Sequence, residues 1–180
     1  TDYKVYVVGV TDAEYEKWAK EGRPVITDSR IAADARSLAG QIGLAKAIKK
    51  NNLRKIITFH SRILRAESFS LSFPEVVRWL PRSMRPTGEI SCNFVSGKMP
   101  THTRAKKIQE LRNAGDQERA ILSNAQCLTE GTDVSALDGV AFIDPRRSEI
   151  DIVQAVGRAI RLSADKKVGV IVLPVFLDLN

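Results

Sequence analysis

EIDIVQAVGRAIRL, residues 149–162, is the stretch around which the rest of the chain is read. On a helix of about 3.6 residues per turn, Ile152, Val153, Val156 and Ile160 share one side and Asp151, Gln154, Arg158 and Arg161 the other. The spacing therefore predicts a two-faced helix. Ser148 precedes Asp151 at the interval of a capping box, which marks the start. Two arginines about one turn apart can grip neighbouring oxygens of one phosphate, because each guanidinium is planar, permanently charged and donates hydrogen bonds in pairs. An RxxR pair on its own is ordinarily a solvated face, since charge at helical spacing usually means exposure. The surrounding sequence separates the two readings.

Composition narrows the class first. A chain of 180 residues fits one ordinary domain with a single core, and 43% hydrophobic with 27% charged residues is a globular balance. The longest apolar run, residues 168–176, is broken by Gly169 and Pro174 and is too short to span a bilayer. No secretory leader is recognisable, so a cytoplasmic location without membrane attachment is the expectation. Cys92 and Cys127 lie far apart with no CxxC or adjacent His, so neither a metal site nor a disulfide framework is expected. Net charge is +7, unevenly spread: residues 51–112 carry twelve basic and four acidic side chains, whereas residues 113–180 carry seven and ten. That local surplus suits a phosphate backbone as partner, or else simply a soluble basic surface.

Along the chain, YKVYVVGV (residues 3–10) reads as a strand, and Thr11 with Glu14 opens a short helix through about Lys20. Residues 22–30 form a connection with Gly and Pro punctuation, and residues 32–50 a long helix that Asn51 and Asn52 stop. A rhythm follows. Strands are expected at 55–60, 90–96, 119–124, 140–144 and 168–176, with helices at 65–80 (interrupted by Pro74), 103–114 and 149–162. Strands apolar on both faces that alternate with helices predict an α/β fold, a mostly parallel sheet with helices on both faces. Residues 1–50 are expected as a strand and linker region packed on a domain formed by 51–180, compact overall.

Parallel sheets place their working loops at the carboxyl ends of the strands. The first such loop holds His60, Ser61 and Arg62, where Ser61 is also well suited to cap a helix. In the second, Gly97 permits close backbone approach, and Lys98, Arg104, Lys106 and Lys107 add positive charge. The third, LTEGTDV (128–134), crowds Thr129, Glu130, Gly131 and Asp133 together. Asp133 can pair structurally with the arginine face or accept hydrogen bonds from a ribose.

KIITFHSR (55–62), SGKM (96–99), NAQCLTEGTDVSALDGVAFIDPRRS (124–148) and DIVQAVGRAIR (151–161), in that order, resemble motifs IV, IVa, V and VI of the second RecA-like domain of superfamily-2 helicases. The pattern is similar to DEAD/DEAH-type enzymes related to restriction-system translocases and to bacterial helicases with helicase-associated domains. It covers residues 53–180, with only a weak likeness before that. The resemblance implies that Gln154, Arg158 and Arg161 are catalytic, the arginines acting as fingers on the γ-phosphate of ATP held by the other motor domain. It implies nucleotide contact for Gly131, Asp133 and Gly157, and backbone contact with nucleic acid for Ser61, Arg62, Gly97, Lys98 and Thr129. The chain departs from the family at Ser135, where relatives usually carry proline, and a looser loop is expected there.

No GxxxxGK[ST] and no Walker-B DExx occur, so the cradle for ATP and Mg2+ is expected on the first, N-terminal RecA-like domain, and this chain alone should be inactive. The resulting expectation is the C-terminal half of an ATP-dependent helicase or translocase on DNA, with RNA as the alternative nucleic acid. Two other readings stand beside it: a non-catalytic nucleic-acid-binding module, or a translocase subunit of a restriction system that moves without unwinding. A small-molecule enzyme on a doubly wound sheet finds no base, nucleophile or Gly-rich dinucleotide turn.

Overall fold

A computed structural model describes residues 3–11, 35–125, 137–143 and 169–177. Within them six strands form one sheet: β1 (Tyr3–Thr11), β2 (Lys55–Phe59), β3 (Glu89–Ser96), β4 (Glu118–Ala125), β5 (Gly139–Phe142) and β6 (Gly169–Leu177). Their order is β1-β6-β5-β2-β4-β3, and every neighbouring pair runs parallel. This is the mostly parallel sheet that the alternation predicted, and the RecA-like class. The helices are α1 (Ala35–Asn51), α2 (Ile63–Trp79) and α3 (Thr101–Arg112). Thr11, expected to open a helix, is the last residue of β1; the rest of that helix (12–20), the helix at 149–162 and the connection at 22–30 lie outside the described residues.

Consecutive apolar residues in the strands explain why both faces are covered, since successive side chains of a strand point to opposite sides. Ile56, Ile121, Ala141 and Val172 join α1 and α2 in one cluster, with Ile42, Ile48, Phe69 and Phe73. Their neighbours Ile57, Leu122, Val140 and Ile171 form the opposite cluster, with Leu111 of α3. Helices therefore pack on each face. The described elements of the first fifty residues belong to the same sheet and core: β1 pairs with β6 in parallel, and α1 supplies Leu38, Ile42, Leu44 and Ile48.

Two local features fix how α1 and α2 sit. After α1, Asn52 adopts a left-handed φ of 50° and Leu53 N donates to Ile48 O at 3.1 Å, a helix-ending turn that Asn tolerates well. Leu53 and Ile48 then pack in the same cluster. Pro74 does not interrupt α2 as the sequence suggests; the helix runs on to Trp79. An interior proline costs about 3 kcal/mol. Burial of Phe69, Phe73, Val76 and Val77 against the sheet outweighs it, at about 1.5–3 kcal/mol for each fully buried side chain.

The amino-terminal edge of the sheet is locked by polar contacts. Asp138 Oδ2 accepts from the amides of Arg54 and Lys55, each at 2.8 Å. Arg119, at the start of β4, turns its guanidinium inward to the carbonyls of Leu53 and Thr87 and to Asn52 Oδ1. Burial, with the nearby charge of Arg54, lowers its pKa below the ordinary arginine value.

Candidate functional site

Because the strands are parallel, their carboxyl ends lie along one edge, opposite the Arg119 network. The chain leaves β2 there after Phe59, β3 after Ser96, β4 after Ala125 and β5 after Phe142. In the strand order β5-β2-β4-β3, the exit of β4 lies between those of β2 and β3. With neighbouring strands about 4.8 Å apart, the turns after β2 and β3 begin about 10 Å from each other.

Backbone bonds tie these exits together. His60 N donates to Asn124 O at 3.0 Å, and Ile143 N to Phe59 O at 3.3 Å. The Phe59 and Phe142 rings stack with centroids 5.1 Å apart. From β2 the chain passes through buried His60 and half-buried Ser61 to exposed Arg62. Arg62, not Ser61, is the N-cap of α2, and no side chain caps it. The proposed cap at Ser61 is thus displaced by one residue, since Arg62 holds the extended backbone (φ −136°, ψ 146°) that precedes the first turn.

After β3, Gly97 and Lys98 are exposed, and Met99 N donates to Ser96 O at 3.1 Å to close the turn. Pro100, with φ −56°, leads into α3. The Arg104 guanidinium reaches back to Gly97 O at 3.3 Å. Exposed amides and cations at a helix start favour an anion, because the free N–H groups there carry partial positive charge. Farther along α3, Lys107 Nζ lies 5.8 Å from the centre of the Phe94 ring.

Ser61, Arg62, Gly97 and Lys98 thus share one edge of the sheet, as the parallel-strand rule predicts. Thr129, Gly131, Asp133, Gln154, Gly157, Arg158 and Arg161 lie outside the described residues. Their connections begin at the same edge, after Ala125 of β4 and beyond Phe142 of β5. Sequence reasoning missed Thr58 and Asn124, both buried at this edge, where Thr58 Oγ1 meets His60 Nε2 at 2.9 Å. Polar residues inside an otherwise apolar strand were the available signal, because a buried polar group has to be bonded. Among the described residues no three His, Cys, Asp or Glu side chains cluster as a metal site requires, and no helix is long and apolar enough to cross a membrane.

Residues 41–163 match the family model described as the helicase conserved C-terminal domain, and the chain belongs to that family. Over 177 residues it is 26% identical to a candidate ATP-dependent helicase of Saccharomyces cerevisiae, IRC3, covering 92% of this chain and 25% of the relative. The structure of the ATP-dependent Type ISP restriction-modification enzyme LlaBIII bound to DNA matches with a TM-score of 0.82 and 28% identity, over 98% of this chain and 12% of that one. A fragment of a candidate HsdR subunit of a type I restriction enzyme from Vibrio vulnificus YJ016 shares the fold, at TM-score 0.62 and 18% identity, over 96% of this chain and 31% of that one. The chain spans a quarter or less of the length of the curated relatives it matches.

Proposed function

We propose that this chain is the C-terminal motor domain of an ATP-dependent helicase or translocase that acts on DNA. The observation that carries the reading is the helicase C-terminal family match over residues 41–163, which includes QAVGRAIR at 154–161. Arg158 and Arg161 are the arginine fingers, Gln154 supports them, and Gly131, Asp133 and Gly157 face the nucleotide. Arginine fingers work by stabilising charge spread over the transferring phosphoryl group. ATP and Mg2+ are held mainly by an N-terminal RecA-like domain of the same protein, since these 180 residues contain no GxxxxGK[ST] segment.

Ser61, Arg62, Gly97, Lys98 and Thr129 grip the sugar-phosphate backbone. The shared edge of the β2 and β3 turns supports this role for the four described residues, because a strand laid along that edge meets exposed Arg62 and Lys98 together. Closure of the cleft on ATP and reopening after hydrolysis would move this grip relative to the companion domain's, step by step. The likeness to LlaBIII, solved with DNA, favours DNA over RNA. A cytoplasmic location belongs to the same reading.

Steady-state ATP hydrolysis by the full-length protein tests it, measured without nucleic acid and with single-stranded DNA, duplex DNA or RNA. Stimulation by DNA is the expected result. Hydrolysis indifferent to every nucleic acid overturns the motor assignment, and stimulation by RNA alone overturns the choice of substrate.

A further inference from the structure

His60 follows the last residue of β2 with an imidazole that is turned into the protein, 8% exposed, although the chain then passes through half-buried Ser61 to exposed Arg62. Its Nε2 lies 2.9 Å from Oγ1 of Thr58, a side chain wholly buried two residues earlier. The ring tilts against Phe69 of α2, with centroids 4.8 Å apart and planes at 52°. Its backbone N–H donates to Asn124 O, one residue before β4 ends. Just behind this bond, Ser123 Oγ donates to the α2 carbonyl of Ala66 at 2.5 Å. A single residue therefore touches β2, α2 and the carboxyl end of β4.

The start of α2 lacks the side-chain cap that ordinarily fixes such a turn, because its N-cap is Arg62 without a capping hydrogen bond. The buried residue before Ser61 and Arg62 ties their turn to the core. We infer that His60 is a positioning residue, which sets the Ser61–Arg62 turn against α2 and the end of β4 and so fixes where that turn meets its ligand. The inference rests on the reading that these turns touch the DNA backbone. The role assigned to His60 is support rather than contact: its ring is buried, tilted against Phe69 and within hydrogen-bond distance of Thr58. Rigid support from buried, hydrogen-bonded residues is what keeps a contacting turn within the tolerance its ligand requires.

The test uses the full-length protein and compares His60→Phe, His60→Gln, Thr58→Val and Arg62→Ala. Each variant is assayed for the DNA concentration that half-saturates ATP hydrolysis, for the rate at saturating DNA, and for its thermal midpoint. His60→Phe keeps the ring and removes the bond to Thr58. It should raise the half-saturating DNA concentration about five- to tenfold, the size expected from one lost buried hydrogen bond, with the saturated rate nearly unchanged. Thr58→Val should act in the same direction, and the double variant should be no worse than His60→Phe, because both remove the same bond. Gln retains a donor and an acceptor and should recover much of the loss.

A lowered thermal midpoint with unchanged half-saturation in both His60→Phe and Thr58→Val overturns the inference and leaves His60 as core alone. Should His60→Phe fail to fold, Thr58→Val decides by the same readout. Arg62→Ala separates the two levels: if it shifts half-saturation while Thr58→Val and His60→Phe do not, only the positioning role falls. If none of them shifts it, the assignment of the turn falls, and the inference with it.

Discussion

The guanidinium of Arg119 donates from Nη1 to the backbone carbonyl of Leu53 at 2.7 Å, joining the start of β4 to the connection that follows α1. Further donations go to Thr87 O, to Asn52 Oδ1 at 2.9 Å and to Thr87 Oγ1 at 3.1 Å. Truncation would leave the buried Leu53 carbonyl without its donor and strip the part-buried bonds to Thr87 and Asn52. Arg119→Ala should therefore lower stability by about 3 kcal/mol in chemical denaturation, and Lys should restore only part, since an ammonium cannot span the same fork. A loss within about 0.5 kcal/mol of wild type, the range of ordinary surface changes, would show that the clasp holds nothing together.

Gly88, in the turn before β3, sits at φ +90°, and a Cβ built there would lie 2.7 Å from Gln117 O. Both the backbone conformation and the space oppose a side chain. Gly88→Ala should cost about 1–3 kcal/mol in the same denaturation experiment, and an unchanged midpoint would contradict the geometry.

Cys92 packs against the α2 side of the core, and burial pushes its thiol well above the ordinary cysteine range. In the unfolded chain the thiol ionises near pH 8.5, whereas in the folded protein it stays protonated. The raised folded pKa means that its contribution to stability is complete below about pH 8.5 and is lost as pH rises beyond that value. Iodoacetamide at pH 8 should label Cys92 far more slowly in the native protein than in denaturant, as followed by peptide mapping. Equal labelling in both states would place the thiol at the surface.

Arg62 and Lys98 are exposed at the edge where β2 and β3 end. If each neutralises a phosphate, replacing either with Ala weakens DNA binding by the full-length protein about equally across sequences. Each change should also reduce the slope of log affinity against log salt by about one. Titration by fluorescence anisotropy at several salt concentrations measures this. An unaltered slope would remove that residue from the interface.

The sheet was legible because adjacent apolar residues such as Ile56 and Ile57 need cover on opposite faces, and only a sheet flanked by helices on each side provides it. Strand order was not legible. The pairing of Tyr3 with Gly169 joins the two ends of the sequence, and nothing local in YKVYVVGV specifies its neighbour. Local rules also lost to packing at Pro74, where buried Phe69, Phe73, Val76 and Val77 carry the helix past a residue that ordinarily breaks it. Arg119 read as one member of an apolar strand, because the carbonyls that receive it come from Leu53 and Thr87, far away in sequence.

At the candidate site, the grouping of Ser61, Arg62, Gly97 and Lys98 was readable from the rule that parallel strands expose their carboxyl ends together. The anchoring of that edge through His60, Thr58 and Asn124 was not. It depends on which way a buried ring turns, and sequence spacing does not encode that.

The central claim is the role proposed for Arg161, a cation that would reach a triphosphate held by a companion domain. Arg161→Ala in the full-length protein should leave ATP binding, measured by equilibrium titration, within about threefold of wild type while lowering DNA-stimulated hydrolysis by about 10³-fold or more. Wild-type hydrolysis in that variant would contradict the account, because a finger on the transferring phosphoryl cannot be removed without loss of rate.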